Sequence, residues 1–291
     1  MKTKKFLITV SFLLPGFLFY TIFMLYPIID SFHISLTNWN GISQQYDFVG
    51  TENYRMLLRD KIFWNSVGNT MFWVGMQLLL IIFPTLILAL LITKVRFGMS
   101  FFRTGFYLPA IISFPVAAVI WGKIYDPQTG PINAALRGLG LDFFAKNWLG
   151  DPDTVLPALV VASSWVQYGL YMVLFITGLQ SIDTQLYEAA DLDGANALQK
   201  FWKITVPSLQ NTFNVVVSLV IINAFKGFSM VWATTQGGPL YKSDLVSTFI
   251  YREGFTSYKI GTAAAGGILL AIVIVLTTVA FNGIREWRSR G

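Results

Sequence analysis

Nine polar or glycine residues interrupt two otherwise apolar stretches, and these are the residues with something to offer a ligand. Ser163, Ser164, Gln167, Tyr168 and Tyr171 lie in one stretch; Asn223, Lys226, Gly227 and Ser229 lie in the other. On a helix, Gln167 and Tyr171 stand four apart on one face, and so do Asn223 and Gly227. Phe228 and Trp232 follow in the second stretch. Amides exchange hydrogen bonds with hydroxyls and aromatic rings cover apolar faces, so the group suits a neutral, hydroxyl-rich solute. The same side chains can instead bond helix to helix, and both readings stand at this level.

Bond-breaking chemistry finds little support. The chain has no cysteine, hence no thiol nucleophile, disulfide framework or iron–sulfur ligand. Its one histidine, His33, lies just beyond an apolar run and reads as a solvated residue, which leaves no histidine cluster for a metal. No G-x-x-x-x-G-K-[ST] loop is present, so the chain lacks that means of holding a nucleotide. All fifteen acidic residues fall outside the apolar cores. An ion-coupled secondary transporter or channel, the competing class, usually keeps carboxylates inside its spans.

The elements that must position these residues are membrane helices. Of 291 residues 54% are hydrophobic and 12% charged, about half the charged share of a soluble domain. A helix needs about 20 apolar residues to cross a bilayer core. Six segments approach that length: Phe6–Ile29, Met71–Ile92, Gly105–Trp121, Val155–Leu179, Phe213–Trp232 and Gly261–Phe281. The predicted fold is therefore all-α, a polytopic membrane protein with six spans. The first apolar run is too long for a signal peptide's core and is not followed by a small-residue cleavage site. It is expected to stay as a helix.

Six spans place both termini on one side. If that side is the cytoplasm, the 60 inner residues carry eleven Lys and Arg, against nine in the 102 outer residues. Positive charge gathers on the cytoplasmic side, so both termini are expected there. The net charge of +6 is scattered in small groups between apolar runs, which argues against a nucleic-acid partner. With no internal repeat, the chain reads as a single transmembrane domain over 1–291. Within it, residues 6–29 form an extra N-terminal helix, about 69–281 form the core bundle, and 181–211 form an inner loop.

That loop is polar yet patterned. Asp183 or Thr184 can cap a short helix through Leu186, Tyr187, Glu188, Ala189 and Ala190. Gly194 stands where a helix stops through a left-handed residue. Asn196 and Gln199 have capping-box spacing for a second helix, whose Leu198, Phe201 and Trp202 share one face until Pro207. Two helices at a sharp turn make either a compact docking knob or a hairpin lying on lipid headgroups.

Residues of this loop carry a family resemblance. Glu188-Ala189-Ala190, Asp193-Gly194-Ala195 and Ile204-Thr205-Val206-Pro207 resemble the EAA loop of permease subunits in binding-protein-dependent ABC importers. Val206 stands where that motif usually has Leu. The resemblance implies a cytoplasmic helix-turn-helix seated in a groove of an ATPase, with Glu188 meeting a basic residue and Gly194 making the turn. Phe225-Lys226-Gly227-Phe228 with Thr235-Gln236-Gly237-Gly238-Pro239 is similar to the carbohydrate permeases of the maltose, lactose and glycerol-phosphate type. Phe48-Val49-Gly50, Asn53-Tyr54, Leu108-Pro109 and Gly261-Thr262-Ala263-Ala264 extend the likeness over nearly the whole chain.

What the resemblance implies is a non-catalytic subunit in a bacterial or archaeal cytoplasmic membrane. Its partners would be a second homologous permease, two copies of an ATPase that binds ATP and Mg, and an extracellular or periplasmic solute-binding protein. No cofactor is implied for this chain. Gln167, Asn223, Gly227 and Phe228 would lie at or beside the sugar path, and Gly237, Gly238 and Pro239 would form an outer turn.

Overall fold

The computed structural model describes residues 2–95 and 97–290. Arg96 of the inner basic set lies outside them, and so do the side chains of Lys2, Lys4, Lys5, Arg285, Arg288 and Arg290. Regular structure among the described residues is helical, apart from one isolated antiparallel bridge between Thr37 and Phe48. In chain order, α1 (Lys2–Tyr20) runs through a π turn into α2 (Tyr26–Ser35), followed by α3 (Glu52–Arg59) and α4 (Lys61–Lys94). Next come α5 (Met99–Tyr107), a 3-10 turn over Leu108–Ile111, α6 (Phe114–Ile124), α7 (Pro131–Gly138) and α8 (Val155–Gln180). Then follow α9 (Thr184–Leu192), α10 (Ala197–Lys200), a π turn, α11 (Val206–Ser208) and α12 (Gln210–Phe225). The chain closes with α13 (Ser229–Thr234), α14 (Val246–Tyr251), a further π turn and α15 (Ile260–Arg290).

Among the described residues, four helical segments are long and apolar enough to cross a membrane: Ser11–Ser35, Lys61–Lys94, Val155–Gln180 and Ile260–Phe281. Two bent pairs raise the number to six if each pair counts as one span. The third apolar stretch, expected as one helix over Gly105–Trp121, turns through 100° between Ile111 and Phe114. Pro109 and Pro115 flank that corner. Each lacks the N–H that would bond back one turn, and Pro115 opens α6 at a position where a missing N–H costs nothing. The fifth, expected as one helix over Phe213–Trp232, stops at Phe225 and restarts at Ser229. Its other end bends by 65° at Leu209, so the loop's second helix runs on to Ser208 rather than ending at Pro207.

The chain divides into two compact units. In the first, residues up to Phe63 join Phe249–Val273. Asn53, only 3% exposed, donates to the carbonyls of Ser35 and Thr37 at 2.8 and 2.7 Å, and its Oδ1 accepts from Thr262 at 3.2 Å. One amide thereby ties the ends of three helices and satisfies backbone groups that a helix end leaves open.

The second unit is centred on α8. Its most apolar window is 61% buried, against 33% for α4. Ile81, Leu86 and Ala89 of α4, Tyr171, Phe175 and Ile176 of α8, and Val216 and Val220 of α12 make the buried cluster. Lipid is as apolar as these side chains, so close fit rather than expulsion of water holds them. Gly169 illustrates this fit, since a Cβ there would lie 2.6 Å from the Cα of Tyr107.

Candidate functional site

The break between α12 and α13 borders a cleft of about 450 Å³, lined also by α4, α8 and the corner before α6. Irregular backbone at membrane depth is tolerated where it faces a cavity or protein, and this break meets both conditions. The carbonyl of Gly227 accepts from Ser247 Oγ, which satisfies one group the break releases.

Of the sequence-predicted path residues, Gln167, Asn223, Gly227 and Phe228 line the cleft together. Tyr171 does not. It is fully buried in the helix cluster, where its hydroxyl accepts from Asn223 Nδ2 at 3.2 Å. Trp232 stands behind Phe228, with ring centroids 5.7 Å apart and planes 14° from parallel. Among the described residues, Lys226 is the one charged side chain on the cleft wall, and it is exposed.

The sequence by itself assigns no site role to Trp73, Ser113 or Gln77. Trp73 and Ser113 line the cleft. Gln77, 1% exposed, accepts from Gln167 Nε2 at 3.1 Å. Their only sequence signal is that Gln77 is a polar residue inside a span, which marks a path or a contact without saying which.

A second constellation occupies α9 to α11. Asp183 caps α9, its Oδ1 accepting from Gln185 N–H at 2.9 Å. Gly194 has φ +74° and no atom within 4 Å of where a Cβ would be. Ala195 N–H returns to the carbonyl of Ala190 at 2.9 Å, closing the end of α9. Asn196 and Gln199 form both bonds of the capping box, at 2.8 and 2.9 Å. Lys200 meets Asp191 at 2.5 Å, and the hydroxyls of Tyr187 and Thr205 meet at 2.8 Å. These bonds hold the two arms of the turn together. Glu188, Ala189, Asp193 and Gly194 lie on its exposed surface, with Ala190 and Ala195 half-buried and Pro207 exposed. The apolar face of the second arm is split: Phe201 reaches the core, while Leu198 and Trp202 stay 66% and 61% exposed.

Gly237, Gly238 and Pro239 form a separate tight turn after α13. Gly237 has φ +91°, and a Cβ on it would lie 2.7 Å from Asp244 Oδ1. That same oxygen accepts from Thr248 Oγ1 at 2.7 Å, with Asp244 fully buried.

Comparison with known proteins agrees with this architecture. The family described as binding-protein-dependent transport system inner membrane component matches residues 93–290. The probable ABC transporter permease YurN of Bacillus subtilis is 35% identical, over 97% of this chain and 96% of that protein. The probable starch degradation products transport system permease AmyD of Thermoanaerobacterium thermosulfurigenes is 31% identical, over 92% of this chain and 90% of its own length. Among solved structures, a chain of a bacterial alginate ABC transporter, in complex with its alginate pentasaccharide-bound periplasmic protein, superposes with a TM-score of 0.84. It is 26% identical and covers 97% of this chain and 95% of its own. The chain belongs to the family of inner membrane components of binding-protein-dependent transport systems, and is a permease subunit of an ABC importer.

Proposed function

We propose that this permease forms half of the path by which an ATP-driven importer moves a carbohydrate, delivered from outside by a separate binding protein. The observation that carries the reading is the cleft itself. It sets the amides of Gln167 and Asn223 among the rings of Trp73 and Phe228, beside a helix break. A sugar presents the matching surface, with hydroxyls around its edge and an apolar face. The substrate named for AmyD and the alginate transporter point the same way.

In this reading Gln167, Asn223, Gly227 and Phe228 touch the passing solute, Tyr171 holds Asn223, and Trp232 backs Phe228. A second, homologous permease completes the path. Two copies of a cytoplasmic ATPase bind ATP and Mg, and this chain carries neither cofactor nor catalysis. The turn bearing Glu188, Ala189, Ala190, Asp193, Gly194 and Ala195 docks in the ATPase groove. Its internal bonds support that role, because only a stiff element transmits a displacement. Counting each bent pair as one span gives six spans, with the knob and both termini on the cytoplasmic side. The Gly237–Pro239 turn then faces outward.

Uptake by vesicles holding the complete importer tests the reading, with maltotriose, arabinotriose, diacetylchitobiose and glycerol 3-phosphate as solutes. ATP-dependent uptake of at least one oligosaccharide is expected. Lys226 on the cleft wall favours a second reading, an anionic solute, and uptake of glycerol 3-phosphate alone would establish it.

A further inference from the structure

Two acceptors, the carbonyl of Ser163 and Oε1 of Gln77, face the NH2 end of Gln167 and orient the cleft wall. The carbonyl of Ser163 can only accept, and Gln167 Nε2 lies 3.2 Å from it, with Ser163 Oγ at 3.4 Å. The NH2 end of Gln167 therefore faces its own helix. The same nitrogen lies 3.1 Å from Gln77 Oε1, so Gln77 must present its oxygen there and turn its own NH2 away. Exchanging O and N in Gln167 would set oxygen against oxygen at Ser163. Exchanging them in Gln77 would set NH2 against NH2.

Two results follow. Gln167, which lines the cleft, is left with Oε1 as its remaining polar atom. Gln77 Nε2, in a residue 1% exposed, has no hydrogen-bond partner among the described residues. A pair selected for stability alone would not strand a buried donor, because an apolar pair of equal volume avoids that penalty.

We propose that Gln77 is a positioning residue that, together with the Ser163 carbonyl, sets the hydrogen-bonding sense of the cleft. By accepting from Gln167 it makes that amide show a carbonyl oxygen to the solute, so this wall selects hydroxyl donors and disfavours carboxylate or phosphate oxygens. The inference rests on the cleft being the solute path, as proposed above.

The test uses the complete importer in vesicles with saturating loaded binding protein, reading solute moved per ATP hydrolysed. Gln77→Glu keeps an acceptor in place. Gln77→Leu keeps the volume but removes both the acceptor and the stranded donor. Gln77→Leu is expected to lower solute per ATP by about fivefold, with ATPase activity and melting temperature close to the parent's. Gln77→Glu should stay within about twofold. A purely structural Gln77 would give the reverse order, since leucine suits an apolar core and a buried carboxyl does not. That order, or parental coupling in Gln77→Leu, overturns the assignment. If the parent importer carries only glycerol 3-phosphate, the carbohydrate reading falls and so does the selectivity assigned to this wall, while the two variants compared on that solute still decide whether Gln77 positions Gln167. A parent that carries none of the four solutes overturns both readings.

Discussion

Gly227 lies against the edge of the Trp73 indole, so close that a Cβ on the glycine would stand 2.8 Å from Nε1. Trp73 is 2% exposed and is among the largest fully enclosed or nearly enclosed side chains on the cleft wall. The glycine lets the broken backbone after α12 reach the ring. Its place in the motif is therefore explained by packing, whether or not solute touches it. Gly227→Ala should overpack this contact at about 1–3 kcal/mol. Lower thermal stability in detergent and uptake reduced by at least tenfold are expected. Trp73→Phe in the same chain should restore part of both, and strict additivity of the two changes would argue that the residues do not interact.

The turn at Gly194 makes a different demand. Nothing surrounds the missing Cβ, so any cost of substitution within this chain comes from the left-handed backbone alone. Gly194→Val should cost about 1–2 kcal/mol, while Gly194→Asn, which tolerates that conformation, should cost less. Asn196→Ala removes a capping-box bond, for about 1 kcal/mol. Faster amide exchange over residues 184–205 should report both. ATP hydrolysis that no longer drives uptake is the expected consequence, and normal coupling in Gly194→Val would count against the docking role.

The turn between α9 and α10 was legible in the sequence because its determinants are local. Asp183, Gly194, Asn196 and Gln199 act on backbone within three or four residues of themselves, so spacing alone predicts their bonds. The two broken spans were not legible as breaks. Isoleucines and phenylalanine flank Ser113, and Phe225 and Phe228 flank Lys226 and Gly227, so a hydropathy average over a whole span passes over both corners. Helical spacing placed Tyr171 beside Gln167 but could not show that one is enclosed in the cluster and the other borders a cavity. Gln77 was beyond reach for a further reason. Its partner lies ninety residues away, and a lone polar residue in a span looks the same whether or not it meets another.

Orientation can be read by fusion. Reporters placed after Arg290 and within residues 122–154 should label opposite sides of the membrane, the first cytoplasmic. The expectation rests on basic residues being about twice as dense in the inner segments. The bend at Ile111–Phe114 makes the second position the informative one. If the third stretch re-enters the membrane rather than crossing it, three spans still separate the two reporters, so they exchange sides: residues 122–154 report the cytoplasm, the position after Arg290 reports the outside, and the count of six falls.

Lys226 discriminates between the two solute classes. It caps the C-terminal end of α12, where its cation favours the carbonyl end of the helix dipole, and it also borders the cleft. The first role needs only a positive charge near the helix end. The second matters to transport only when the solute is negative. An exposed ion pair contributes about 1 kcal/mol or less, equivalent to roughly a fivefold change. Lys226→Ala should therefore leave uptake of a neutral oligosaccharide within about twofold, the small loss tracking a lower melting temperature. With an anionic solute the same change should cut uptake by up to about fivefold, and Lys226→Arg should recover most of it. Measuring both solutes at two salt concentrations completes the separation, because screening weakens the solute contact while leaving the neutral case unchanged. A salt-dependent fall for the neutral sugar would mean that Lys226 acts on something other than the solute.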